Sequence, residues 1–401
     1  MLNELTPAAA WRRVVEHAIA ERVDAVVLAG DVVESSNARY EAFGHLEQGV
    51  GRLVAAGVDV CAVAGNHDVE TLPRLARQIS GFHLLGEGGC WEEHEITQGS
   101  RTVVRLLGWS FPAPRHDVSP FDEPPQLREG EAPLVGLLHC DLSGSERAYA
   151  PVRRAEFDPW PVSAWLLGHV HKPSIEADSH PLGYLGSLVG LDPGEPGYHS
   201  AWLLCVGGVG PPLLSRVPLS PLRWERLNLD VSALAEPEKE LHPVLVDALR
   251  GRAKWLGGEL AGTRAMGVRV TLSGRSPALR ALRAEVERLM SQALIFPVGE
   301  TLAFVEKIIN DARAEHPLDL LAQGNDPPAL LAQDLQALHV GGAPAADLLA
   351  QAARSLRALV QQPVFRWLDS PQLDEEELRR WLIRAGEAAL DELLTQKEPV
   401  K

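Results

Sequence analysis

Thr6-Pro7 opens the first regular pattern, a capping hydroxyl followed by proline at a first helical position. Trp11, Val14, Val15, Ala18 and Ile19 then recur at helical spacing and form one apolar stripe. A short polar turn leads into VDAVVLA (23–29), a run of strand length ending in Gly30-Asp31. A second helix is predicted over about 40–56. VDVCAVA (58–64) follows as another strand and ends in Gly65-Asn66-His67-Asp68. Strand, helix and strand at this spacing predict parallel βαβ units with both sheet faces covered. Residues 112–133, rich in proline and acidic groups, read as a long loop. Further strands are expected at 103–109, 134–138, 164–167 and 199–206.

The pattern changes near Pro211–Pro221. Beyond it come a strand at RWERLNLDV, a helix around 241–257, the strand GVRVTLSG (267–274), a helix around 277–291 and the strand TLAFVEKII (301–309). That is a small second α/β unit. From Ala329 onward the pattern is helical and rich in Leu and Ala, with breaks at Gly341-Gly342 and Pro363. No internal repeat or strict heptad run is present. The expected domains are 1–221, 222–312 and 313–401.

Composition narrows the class. The 401 residues are 45% hydrophobic and 23% charged, which excludes a disordered, collagen-like or disulfide-stapled chain. No apolar run reaches the roughly 18 residues of a membrane span. Polar Asn3 and Glu4 ahead of Pro7 do not resemble a signal peptide. Cys61, Cys90, Cys140 and Cys205 lie far apart with no C-x-x-C spacing, so reduced thiols and a cytoplasmic location are expected. The net charge of −16 argues against a general basic coat for nucleic acid. It is unevenly spread: 19 Lys/Arg against 21 Asp/Glu in 241–401 leave −14 in residues 1–240. Within 251–290 the sign reverses to +5, with Arg264, Arg269, Arg275 and Arg280 among the basic residues. A solvated helix face and a nucleic-acid contact are about equally compatible with that patch.

Four short polar motifs each follow an apolar strand: Gly30-Asp31, GNHD (65–68), His139 after LVGLL, and GHVH (168–171). In an open α/β sheet, residues beyond the carboxyl ends of strands meet in one crevice. Asp31, Asn66, His67, His139, His169 and His171 are therefore expected together. Carboxylate, carboxamide oxygen and imidazoles suit a divalent transition metal such as manganese, iron or zinc. His169 and His171 can both reach a metal pair if the backbone bends between them. Gly30, Gly65 and Gly168 permit close backbone approach. A lone histidine after a strand is usually structural, and GD is a common turn. The ordered set, each member placed after a strand, is far more specific.

On these motifs the sequence resembles the calcineurin-like metallophosphoesterases, whose signature includes GD, GNH(D/E), a histidine after a strand and GHxH. Within them it is most similar to the bacterial DNA-repair exonucleases of the SbcD type. That similarity extends to YLGSLVGLDPGEPGYHSA (184–201) and to GVRVTLSGRSP (267–277), the start of a DNA-facing capping domain, and covers about residues 8–310. The resemblance implies an α/β fold: a two-sheet sandwich flanked by helices, with a small α/β capping domain and a helical C-terminal region. It implies two divalent metal ions, manganese first and iron or zinc as alternatives. Asp31 would bridge them, Asn66, His139 and His169 would complete one site, and His171 would bind the other ion. His67 would be the acid at the leaving oxygen, with Asp68 beside it. DNA and an SbcC-like ATPase subunit are the implied partners, with a homodimer compatible and no membrane.

One departure stands out. The family opens with a strand ending in D-x-H, and no D-x-H precedes Asp31 in this chain. A strand and loop of roughly 30 residues would supply it. A start assigned too late is the favoured explanation, because a parallel sheet lacking a buried strand exposes apolar surface. Without D-x-H only Asp31 and His171 remain for one ion, with Glu34 and Asp141 the first candidates to replace the absent pair. Three functions follow as expectations: a manganese-dependent DNA exonuclease or endonuclease of double-strand-break repair; a small-molecule phosphodiesterase or phosphatase; and a catalytically impaired subunit of the same fold.

Overall fold

The computed structural model describes residues 4–34, 41–142, 149–208, 210–360, 362 and 374–397. The break expected at Pro363 lies outside them. The chain folds into two compact units. One comprises Met1–Arg226, Leu249–Arg269 and Ile295–Glu306; the other comprises Leu227–Ala248, Val270–Leu294 and Lys307–Lys401. Neither unit is one continuous stretch of sequence.

The first unit begins with helix α1 (Pro7–Glu21), whose start is set by the Thr6 hydroxyl accepting from the Ala9 amide at 3.3 Å. Strand β1 (Ala25–Ala29), helix α2 (Glu41–Ala55), strand β2 (Asp59–Val63), helix α3 (Leu72–Gln78) and strand β3 (Phe82–Leu84) follow. The three strands pair in parallel in the order β1-β2-β3. A second sheet has the order β4-β5-β6-β7-β8, from β4 (Trp91–Gln98), β5 (Arg101–Trp109), β6 (Leu134–His139), β7 (Ala164–Gly168) and β8 (Leu182–Tyr184). Only β4 pairs antiparallel; β5 through β8 are parallel.

Period-two alternation explains the layering. In β2, Val60 and Ala62 face α1, α2 and α3 through Val15, Leu46, Leu53 and Leu75. Cys61 and Val63 on the other face meet Leu106, Val135, Leu137 and Leu166 of the second sheet. Leu107, Trp109, Leu134, Leu138 and Trp165 line that sheet's outer face. Two sheets thus pack face to face with helices outside one of them, the α/β sandwich that the family resemblance implies. The hairpin β9 (Ala201–Cys205) and β10 (Leu213–Val217) adds Trp202, Leu204 and Leu214 to the inter-sheet layer.

The Pro-rich segment 112–133 has only one regular piece, a 3-10 turn at Pro120–Asp122. It is fixed nonetheless. Arg105 donates to the Arg128 carbonyl at 2.7 Å and pairs with Glu93 at 3.3 Å, while Glu93 accepts from the Arg128 amide at 2.8 Å. Phe121 sits among Trp91, Phe157, Trp160 and Trp165.

A four-stranded sheet then has the order β11-β12-β15-β14, from β11 (Leu222–Asp230), β12 (Ala265–Ser273), β14 (Ile295–Val298) and β15 (Thr301–Asn310). Strands β13 (Arg275–Ser276) and β16 (Arg313–Ala314) pair in parallel. Helices α4 (Pro237–Leu256) and α5 (Leu279–Met290) lie where the sequence predicts them. The C-terminal region holds the short α6 (Leu318–Leu321), α7 (Pro327–Val340), α8 (Ala343–Val360) and α9 (Glu375–Lys397). No described helix is long and apolar enough to cross a membrane.

Candidate active site

The carboxyl ends of β1 and β2 in one sheet and of β6 and β7 in the other meet at one end of the sandwich, and the sequence places a polar residue just at or beyond each. His139, the last residue of β6, hydrogen-bonds the Ala29 carbonyl through Nδ1 at 2.9 Å. This contact stitches the two sheets together. It requires glycine at 168, because a Cβ there would overlap the Ala29 carbonyl oxygen, and at Gly30, where a Cβ would overlap His139 Nδ1. Asp31 and His169 hold positive φ angles of 51° and 106°. Non-glycine residues adopt such backbone only where the surroundings enforce it, most often at functional sites. The bend needed between His169 and His171 is therefore present.

Around His139 the side chains converge. Its Nε2 lies 3.3 Å from Asp31 Oδ2 and 3.2 Å from Asn66 Oδ1. A carbonyl only accepts, so Nδ1 carries a hydrogen; Nε2 then donates to the two further oxygens when the ring is protonated and turns a lone pair toward them when it is neutral. A divalent cation satisfies all three at once, so these residues fit the ion that the motifs imply. The His169 ring lies 5.3 Å from that of His139, centroid to centroid. Asp31 Oδ1 also accepts from the His67 amide at 3.0 Å. Burial alone would raise the Asp31 carboxyl, but the hydrogen bond and charge of His139, with the His67 amide, hold it below its ordinary value. Burial, aided by His139, lowers His169. Among the described residues no three His, Cys, Asp or Glu side chains gather closely enough to hold an ion; the third donor beside Asp31 and His139 is the Asn66 amide oxygen.

The remaining expected residues divide. His67 is half exposed, with Nδ1 3.5 Å from Glu34 Oε2. Asp68, expected beside His67 as a catalytic neighbour, is fully buried, and both oxygens are committed to backbone: Oδ2 to the Val32 amide at 2.6 Å and Oδ1 to the Gly65 amide at 2.7 Å. Its place is that of a clamp between the two loops that carry Asp31 and Asn66. Burial and the nearby Asp31 charge push its carboxyl up to about 6 despite those two N–H groups. His171 meets the Glu195 carboxylate through Nδ1. Sequence reasoning missed Glu195, as well as Phe111 and Tyr149, whose rings pack 5.6 Å from His139 and 5.8 Å from His169. Motif spacing carries no signal for any of them.

The four arginines expected to face DNA are largely engaged. Arg269 forms a bidentate pair with Glu306 at 2.8 and 3.0 Å. Arg275 pairs with Glu387, which also accepts from Arg313 at 2.5 Å. Arg280 is not free either. Arg264 lies near enough to Arg13 for its charge to depress the Arg13 guanidinium, after burial. The local +5 is thus offset by acids distant in sequence.

Glu387 is a structural residue of the second unit. Burial would raise its carboxyl, but the bonds from Arg313 and Arg275 outweigh it and hold the group low. A lowered carboxylate contributes stability above its unfolded pKa and loses it as pH falls through the folded value. Glu387→Gln should therefore destabilise the protein by about 2 kcal/mol at neutral pH, since charged hydrogen bonds contribute roughly 1.5–3 kcal/mol. The difference should shrink as pH falls below the ordinary glutamate value of about 4.3 and vanish only below the lowered folded value. Urea melts at pH 7 and in acid check both statements; equal loss at both values contradicts them.

The comparisons agree with this geometry. Residues 7–173 match the family model of calcineurin-like phosphoesterases, and residues 224–313 match that of the middle domain of the metallophosphoesterase YhaO. Over residues 7–173 the chain is thus similar to the calcineurin-like phosphoesterases, a family of hydrolases of phosphoester bonds. It is 28% identical over 179 residues to the uncharacterized metallophosphoesterase YhaO of Bacillus subtilis, covering 43% of each chain. It is 26% identical over 268 residues to the DNA double-strand break repair protein Mre11 of Aeropyrum pernix, covering 61% of this chain and 63% of that one. The matches thus span less than two thirds of either relative.

Proposed function

We propose that the chain is a metal-dependent phosphodiesterase acting on DNA, with His67 as the acid at the leaving oxygen. The observation that carries the reaction class is the cluster of His139 Nε2, Asp31 Oδ2 and Asn66 Oδ1 at that end of the sandwich. Asp31, Asn66, His139, His169 and His171 would hold divalent ions, with manganese the first choice, which would supply a water of lowered pKa and neutralise phosphoryl charge. Asp31 anchors the His67 backbone, and Glu34 faces Nδ1 of its ring, which leaves Nε2 for the substrate. Asp68 keeps the two loops in register. The choice of DNA is supported by the similarity to Mre11, named for double-strand break repair, over 61% of this chain. Under this reading an SbcC-like ATPase is the partner.

A second reading, a small-molecule phosphodiesterase, is favoured by the net charge of −16 and by the acidic partners of Arg269 and Arg275. Assay of the protein with Mn2+ on end-labelled duplex DNA and on bis(p-nitrophenyl) phosphate separates the two. Under the DNA reading both are hydrolysed, duplex DNA competes with the chromogenic ester, and its binding weakens with salt at roughly 0.9 log unit per phosphate contact. Hydrolysis of the ester with neither cleavage nor competition by DNA establishes the small-molecule reading instead.

A further inference from the structure

Resting on the metallophosphoesterase reading, we propose that Glu195 is the positioning residue of His171, fixing its tautomer so that Nε2 is offered to a divalent cation. His171 cannot rely on packing for its orientation, because its side chain is 49% exposed. Glu195 is only 19% exposed and meets His171 at Nδ1. An ionised carboxylate only accepts, so a neutral His171 must carry its hydrogen on Nδ1 and leave the lone pair on Nε2.

Glu195 is itself held. Its second oxygen accepts from the Leu191 amide at 2.8 Å, and its own amide donates to the Asp192 carbonyl at 3.0 Å. The loop is pinned at both ends. Ser187 donates its amide to the His171 carbonyl at 2.8 Å, and its hydroxyl lies 2.8 Å from Nδ1 of the buried His199. Trp224 of β11 donates from Nε1 to the Gly190 carbonyl at 3.1 Å and accepts from the Gly197 amide at 2.8 Å. The carboxylate is thus presented to His171 by a loop fastened to His171's own backbone.

The same device operates at His139, where the Ala29 carbonyl takes Nδ1. His171 differs in having a carboxylate as the acceptor that orients its ring. Carboxylate partners of metal-binding histidines are typically worth 10–100-fold in metal affinity.

The test uses the full chain. Two-bond 1H–15N correlation spectra of the metal-free protein are recorded at about pH 8.5, where histidine is neutral. His171, assigned with a His171→Gln variant, is expected as the Nδ1–H tautomer. Glu195→Ala should shift it toward Nε2–H and weaken Mn2+ binding by roughly 10–100-fold in calorimetric titration, with the metal-free melting temperature unchanged. Glu195→Gln, which keeps an acceptor oxygen without the charge, should retain the tautomer and lose part of the affinity. It also serves if the alanine variant melts early. An unchanged tautomer or unchanged affinity in Glu195→Ala, with native protein that binds Mn2+, overturns the role of Glu195 alone. Native protein that neither binds Mn2+ nor hydrolyses phosphodiesters overturns the reading beneath it.

Discussion

Under the DNA reading, His67→Ala is expected to lower DNA hydrolysis by roughly 10²–10⁴-fold, the usual worth of a positioned proton donor, and to leave bound metal unchanged. The geometry separates the two effects. What His67 gives to the ion-binding cluster is its backbone amide, which donates to Asp31 Oδ1 at 3.0 Å and survives the substitution. Its side chain points elsewhere, with Nδ1 toward Glu34. A second contrast follows from leaving-group chemistry. The sugar hydroxyl of DNA departs as a strong base and needs a proton, whereas p-nitrophenolate is stable without one. The loss should therefore be large on DNA and small on the chromogenic ester. Glu34→Gln should act in the same direction but more weakly, because it changes the orientation of the imidazole without removing it. Metal analysis beside both assays decides the matter: loss of metal together with activity would place His67 among the ligands, and equal loss on both substrates would deny it the role of acid.

Much of this site could be read from the chain because strand ends carry it. Apolar runs of strand length fix where β1, β2, β6 and β7 stop, and each polar motif starts at or just beyond that point. Alternation within β2 likewise separates the helix-facing Val60 and Ala62 from the inter-sheet Cys61 and Val63. Side-chain direction is a different matter. GNHD places Asp68 next to His67, yet the turn sends Asp68 inward to two amides and His67 outward to Glu34. Glu195 lies 24 residues from His171, and only the fold of the 187–199 loop brings them together. The charge count over 251–290 likewise could not see the acids that pair with Arg269 and Arg275, since Glu306 and Glu387 lie outside that window. The strand WEEHEITQ escaped notice because it is an edge strand with mostly polar, solvent-facing positions; charge there guards an open edge.

Asp31→Asn should remove most of the stabilisation that Mn2+ gives the native protein without harming the metal-free fold. The amide oxygen of asparagine can still accept from the His67 backbone, so the link between the β1 and β2 loops persists. Removing the Asp31 charge also relieves its repulsion of the buried Asp68, whose carboxyl it pushes upward after burial. Both effects offset the loss of the His139 contact that helps to hold the Asp31 carboxyl low, so the metal-free variant stays close to the native protein in stability. Metal binding has no such compensation. Among the described residues Asp31 is the one carboxylate in the cluster with His139 and Asn66, and a neutral amide in its place leaves the ion with no anionic ligand there. At a free Mn2+ concentration 100 times the native dissociation constant, linkage stabilises the native fold by about 2.7 kcal/mol. A 100-fold weaker site reduces that gain to about 0.4 kcal/mol at the same concentration. Thermal melts of both proteins with and without Mn2+ measure the difference directly. An Asp31→Asn protein whose melting temperature still climbs with Mn2+ as the native one does would mean that the ion sits elsewhere and that Asp31 serves the loop geometry alone.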